Sequence, residues 1–232
     1  MPASAIFTGL ACGTLLTAAG LALWDGFRQV PGLSHAIRAI SWLAGVFLLI
    51  GALLAWWGEH SLSAPALRLT LMAALAAPAE IRHRPRPSWG NLVLTLPALV
   101  LAGAGLLWVS EPVGDGADSL PVALAQLGVV ACGGLGARAL GEALSGMTNS
   151  TPQVEWPSAA AYALLTLLVG GTALVNLGQR GTVWGRSTGE GGLAVAWLVW
   201  SAVWLGPDQP PRLRAVLTGV AALWLVILAT GC

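Results

Sequence analysis

Long apolar stretches separated by short polar turns run the length of the chain. A helix needs about 20 mostly apolar residues to cross a hydrocarbon core. Windows of that kind predict spans over 4–23, 38–57, 63–80, 91–110, 120–144, 158–177, 191–206 and 213–231. The third is the weakest, because it holds Arg68 between Pro65 and Pro78. The seventh is short at 16 residues and is expected to start within the preceding glycines. The connections are too short for an independent soluble fold, and no repeat at a fixed period is present. The expectation is one all-α integral membrane domain over 1–232, a polytopic transmembrane helix bundle of about eight spans.

Composition agrees. The chain is 56% hydrophobic and 9% charged, with mean hydropathy +0.76, whereas soluble domains carry about 25% charged residues. A net charge of +1 with no extended basic patch gives nothing to neutralise several phosphates, so nucleic acid is not an expected partner; the lipid bilayer is. Charge also orients the spans. With the N-terminus outside, the cytoplasmic side takes Arg28, Arg38, Arg82, Arg84, Arg86, Arg138, Arg212 and Arg214, and the outside keeps Arg68, Arg180 and Arg186. That is the positive-inside bias. It places both termini, the acidic EPVGDGADS loop at 111–119 and the 178–192 connection outside. Trp24, Trp56, Trp57, Trp89, Trp108 and Trp156 lie near span ends, where amphipathic rings favour the interface. Trp42 and Trp224 lie inside spans and are expected to pack.

Few residues offer chemistry. Cys12, Cys132 and Cys232 form no CxxC pair and no metal-ligand spacing, and read as small packing residues. His35 and His83 fall on the cytoplasmic side. His60 falls outside next to Glu59, either as a solvated interfacial histidine or as a single axial metal ligand. Arg138 and Glu142, four apart, can pair near the inner end of the fifth span, where snorkelling is cheap. Arg68, on the outer side, can hold a carboxylate or reach the interface. GGLGARALG at 133–141 has a dinucleotide-like spacing but follows no strand, so close helix packing explains it. Gly9 and Gly13 carry the same expectation. No Walker A motif, HExxH, GxSxG or pair of catalytic carboxylates occurs.

Residues 181–206 read GTVWGRSTGEGGLAVAWLVWSAVWLG. Trp197, Trp200 and Trp204 are spaced i, i+3, i+7 and share a helix face. Trp204 is expected at the inner interface, with Trp197 and Trp200 beneath the Trp184 loop. The order of AYALLTLLVGGTALVNLGQRGTVWG (161–185), a short outer loop, WLVWSAVWL (197–205) and RAVLTGVAALWLVILATG (214–231) resembles the C-terminal part of the cytochrome c assembly superfamily of CcsA, CcmC and HemX. The N-terminal layout is similar to HemX as well. The resemblance implies an outward tryptophan-rich loop that contacts haem, usually flanked by histidines. Here the loop after Trp184 is GRSTGEGG, with no second tryptophan, aspartate or histidine, and Gln126 stands where such proteins often place a histidine.

Two functions are expected, the first implied by the resemblance and the second by the tryptophan face and small-residue helices. One is a divergent haem-handling, cytochrome c assembly or tetrapyrrole biogenesis protein of a bacterial inner membrane, with haem or apocytochrome c as partner. Its cofactor site would be lined by Trp184, Arg186, Glu190, Trp197 and Trp200, with Arg68 and His60 approaching from neighbouring spans and His60 as the metal ligand. The other is a non-catalytic structural subunit of a respiratory or photosynthetic complex, its tryptophan face and small-residue helices packing on other membrane subunits. A small-solute transporter is disfavoured by the lack of paired intramembrane charges and of a clear internal repeat.

The arginine bias is open to direct check. Alkaline phosphatase fused within 111–119 or 178–192 should be active, and the same fusion within 82–87 inactive; the reverse pattern would invert the topology.

Overall fold

The computed structural model describes residues 3–28, 32–59, 64–77, 88–107, 120–147, 156–183, 188–205 and 210–230. Among the described residues there are eight α-helices and no strands: α1 (Ala3–Arg28), α2 (Leu33–Glu59), α3 (Pro65–Ala76), α4 (Ser88–Leu107), α5 (Leu120–Met147), α6 (Trp156–Arg180), α7 (Thr188–Leu205) and α8 (Pro211–Thr230). Helices alone satisfy every backbone group within one segment in hydrocarbon. Stretches of α1, α2, α5, α6 and α8 are long and apolar enough to cross a membrane, and Pro65–Ala76 and Leu92–Leu107 are shorter apolar helices. The chain is a multi-pass helical membrane bundle, with one helix at each expected place.

Neighbouring helices alternate in direction. Gly51 of α2 lies against Ser4 and Thr8 at the start of α1; Gly105 of α4 lies against Ala66 and Thr70 at the start of α3. Gly128 of α5 meets Leu168 of α6, and Gly192 of α7 meets Leu228 of α8. The starts of α1, α3, α5 and α7 therefore share one end of the bundle with the ends of α2, α4, α6 and α8. We call this the upper end. The described arginines divide unequally: Arg68 and Arg180 stand in the upper half, Arg28, Arg38, Arg138, Arg212 and Arg214 in the lower half.

The helices form two groups joined through α5. In the first, α1 packs on α2 and α4, and α3 packs on α2 and α4; its core gathers Leu15, Leu48, Leu69, Met72, Ala73, Ala98 and Ala102. In the second, α5, α6, α7 and α8 form a ring around Trp200, Cys132, Leu165, Ala196, Ala221, Ala222 and Leu225. Helix α5 packs on α3 and α4 as well as on α6 and α8. With no hydrophobic drive between helices in lipid, such packing relies on van der Waals contact and small residues. The 133–141 stretch supplies them. A Cβ on Gly134 would lie 2.6 Å from Leu75 Cβ and 3.0 Å from the Met72 carbonyl oxygen, so only glycine admits α3 this closely.

Helix α3 is shorter than the expected 63–80. Pro65 opens it at its first turn. Ala77, preceding Pro78 in sequence, is extended at φ −58° and ψ 128°, as a residue before proline must be. Its 12 residues reach about 18 Å, short of a full crossing of about 30 Å. Its surroundings are protein: Leu67, Leu69, Thr70, Met72, Ala73 and Ala76 are all buried. The seventh helix starts at Thr188, inside the glycine-rich stretch as expected.

Two packing expectations are corrected. Gly9 and Gly13 face away from the bundle, where an added Cβ would meet nothing within 4 Å. Trp42 is exposed rather than packed, because the buried positions Ser41, Ala44 and Leu48 turn the opposite face of α2 inward. Trp24, Trp56 and Trp57 are exposed near helix ends, as an interfacial belt requires.

Trp200 is the largest side chain fully enclosed by the bundle. Trp200→Ala should cost about 3–5 kcal/mol of stability, the range for truncating a buried aromatic, in steric-trapping unfolding in bicelles. A cost below 1 kcal/mol, on the scale of an exposed position, would mean that the ring around it is loosely packed.

Candidate functional site

Arg68 and Glu190 both stand at the upper end of the bundle, on helices α3 and α7 that share no direct packing among the described residues. Arg68 lies in the first turns of α3, and its Nη1 donates a 2.7 Å hydrogen bond to the carbonyl oxygen of Ala229, in the last turn of α8. The cation thus meets helix-terminal carbonyls that have no intrahelical partner, where the dipole favours positive charge. Across the bundle Glu190, the acidic residue in the first turn of α7, accepts a 3.1 Å bond from Asn176 Nδ2 near the end of α6. A carboxylate at a helix start is likewise on the favourable side of the dipole. Two turns below, Trp197 is half-buried and its Nε1 donates to Thr166 Oγ1 of α6 at 3.0 Å. Trp224 of α8 donates from Nε1 to the Gly192 carbonyl oxygen of α7 at 2.9 Å.

The tryptophan face divides. Trp200 is 0% exposed at the centre of the α5–α8 ring, with its Cη2 3.3 Å from where a Cβ on Gly136 would sit. Trp204 is exposed near the lower end and stacks on Tyr162, with ring centroids 6.2 Å apart and planes at 21°. Trp197 lies between them in exposure, at the seam of α6 and α7. Trp184, Arg186 and His60 lie outside the described residues. Among the described residues no group of three or more His, Cys, Asp or Glu could hold a metal ion.

One polar residue, Asn176, escaped the sequence reading, and two others, Trp224 and Gln126, differ from what it expected. Asn176 is buried inside the sixth span, where a carboxamide in an apolar stretch is itself a signal, because polar groups in a membrane face the bundle interior. Trp224, although exposed at its ring, spends its N–H on α7. Gln126, on the upper third of α5, has its Oε1 buried with no hydrogen-bond partner among the described residues. An orphaned buried acceptor costs about 1–3 kcal/mol unless a donor reaches it, so Oε1 fits a water or a ligand O–H or N–H. Position 126 was singled out only as a missing histidine.

The lower half holds the buried charged residues Asp25, Arg138 and Glu142. Arg138 Nε lies 3.4 Å from Glu142 Oε1 on α5, as the spacing predicts. Both side chains are buried rather than extended to the surface, so the snorkelling expectation is corrected. Nearby, Gly141 packs on Pro97, Leu94 and the Val93 carbonyl of α4. Pro97 inside α4 has no N–H for that carbonyl. The charge pair is buried within protein, where leaving one member alone is costly.

No protein-family model and no curated protein matches the sequence. The structure of the molecule does find a likeness. Over 98% of this chain it is similar to a solved structure of Cytochrome c Heme Lyase CcmF, with a TM-score of 0.68 and 16% sequence identity. The chain shares that fold. It spans about half of that protein's length, 49%. The resemblance read from 161–231 to cytochrome c assembly proteins is therefore borne out at the level of fold.

The ion pair gives a clean measurement. Arg138→Ala or Glu142→Ala alone should destabilise the bundle by about 3–5 kcal/mol, while Arg138→Met with Glu142→Leu should be close to neutral. Single substitutions as mild as the double would show that the pair is solvated.

Proposed function

We propose that the chain is a haem-handling membrane protein of cytochrome c assembly or tetrapyrrole biogenesis, working at its upper end on the outer face of a bacterial inner membrane. The observation that carries this reading is the fold shared with a cytochrome c haem lyase over nearly the whole chain. The residues at that end supply what the periphery of a haem needs. Arg68 brings a guanidinium suited to propionate. Trp197 brings a half-buried indole for the macrocycle face. Trp184 and Arg186 from the α6–α7 connection, with Glu190 at its edge, complete the proposed site, with Trp200 supporting Trp197 from inside the ring. The iron ligand in this reading is His60, which follows α2.

Haem, once bound, would supply an iron centre and two carboxylates. The chain's own part is to orient and shield it: guanidiniums fix the propionates, indoles cover one face, and the packed α5–α8 ring excludes water from below. Apocytochrome c is the proposed protein partner. The proposed role is holding and presenting haem rather than bond making.

A second reading, a structural subunit of a larger respiratory or photosynthetic complex, is favoured by one observation. Gly9 and Gly13 leave α1 without side-chain relief on a face that the bundle does not use, and small-residue pairs allow close approach of another helix.

Haem titration of the chain in nanodiscs separates the two. The first reading expects a Soret band that is lost in Trp184→Ala and shifted or lost in His60→Ala. No band in the wild type, together with stoichiometric co-purification of other membrane subunits, would replace it with the second.

A further inference from the structure

Two side chains from different helices converge on a single turn of α7. From α6, Asn176 Nδ2 donates to Glu190 Oε2 at 3.1 Å; from α8, Trp224 Nε1 donates to the Gly192 carbonyl oxygen at 2.9 Å. Gly192 also permits the closest helix contact in this region, since a Cβ there would lie 2.5 Å from Leu228 Cδ2. The turn that carries Glu190 is therefore gripped from both sides. The grip continues across the bundle through Arg68, whose bond to Ala229 ties α3 to the end of the same α8.

We propose that Asn176 and Trp224 are positioning residues for the upper-end site: they fix the first turn of α7, and with it the direction of Glu190 and of the Trp197 face below. This rests on the haem-handling reading for its functional consequence, though not for its geometry. The physical case is that helix starts fray. The first amides of α7 have no intrahelical partner, and three glycines at 189, 191 and 192 give that turn a weak local helix preference. A turn so composed needs ties from outside to hold one conformation. Asn176 is 4% exposed within an apolar span, and Trp224 keeps its ring at the bundle surface while its N–H reaches across to α7. Both placements are explained by the bond each makes. Neither residue reaches a ligand in this account; both act through α7.

The test uses the full chain in nanodiscs with Asn176→Leu, which keeps the size and removes the N–H, and Trp224→Phe, which keeps a ring and removes the N–H. Hydrogen exchange of the amides over 190–196 should rise by about 3- to 20-fold in each variant, the range expected for losing one interhelical bond in a membrane, with exchange in α1–α5 unchanged. Haem affinity should fall by a similar factor while the Soret maximum stays at the wild-type wavelength, because the bound group keeps its contacts. Unchanged exchange in both variants, exchange rising alike throughout the bundle, or a shifted Soret maximum would each overturn the proposal. A wild type that binds no haem would remove the functional reading, and the exchange measurement would still decide whether the two residues hold the turn.

Discussion

The close approach of α3 to α5 at Gly134 is the contact on which the rest depends. Helix α5 is the shared wall of the two helix groups, and α3 is too short to cross a bilayer by itself. It is held because Gly133 and Gly134 let Met72 and Leu75 lie directly on the α5 backbone. In lipid that approach is what generates attraction, since apolar area alone gives none between helices. Once α3 is seated, Arg68 falls within reach of the last carbonyls of α8, and α8 in turn packs on α7. Position in the upper end therefore propagates from two missing side chains on α5.

That chain of contacts explains why the polar side chains sit where they do. Arg68 and Glu190 each meet a helix terminus of the sign that suits them. Asn176, Thr166 and the indole N–H groups of Trp197 and Trp224 each find a partner across a helix seam. The buried Arg138–Glu142 pair is compensated within one helix. Gln126 is the exception among the described residues, its Oε1 buried without a partner.

Much of this was legible in the chain itself. Windowed hydrophobicity found the place of every helix, Pro65 and Pro78 flagged the weak third segment, and the small residues of 133–141 announced a close contact. What the sequence could not carry was direction around a helix axis. Gly9 and Gly13 had the right spacing for packing and point outward; Trp42 lay inside a span and faces away from the core. Trp200 and Trp197 share a helical stripe, yet one is enclosed by the α5–α8 ring and the other stands at a seam, because α5 and α8 approach α7 from one side only. Asn176 was passed over because a single amide in an apolar run has no partner in the sequence; its partner lies on the next helix. The likeness read from the sequence rested on order and spacing around 161–231, and the shared fold, at 16% identity, agrees with it.

The central claim, that this bundle holds haem at its upper end, is tested most directly by the haem content of the protein purified from the membranes of a haem-replete host. A pyridine haemochrome assay should give a haem-to-chain ratio near unity in the wild-type protein. A ratio indistinguishable from zero, in protein that keeps its helical circular dichroism, would contradict the account.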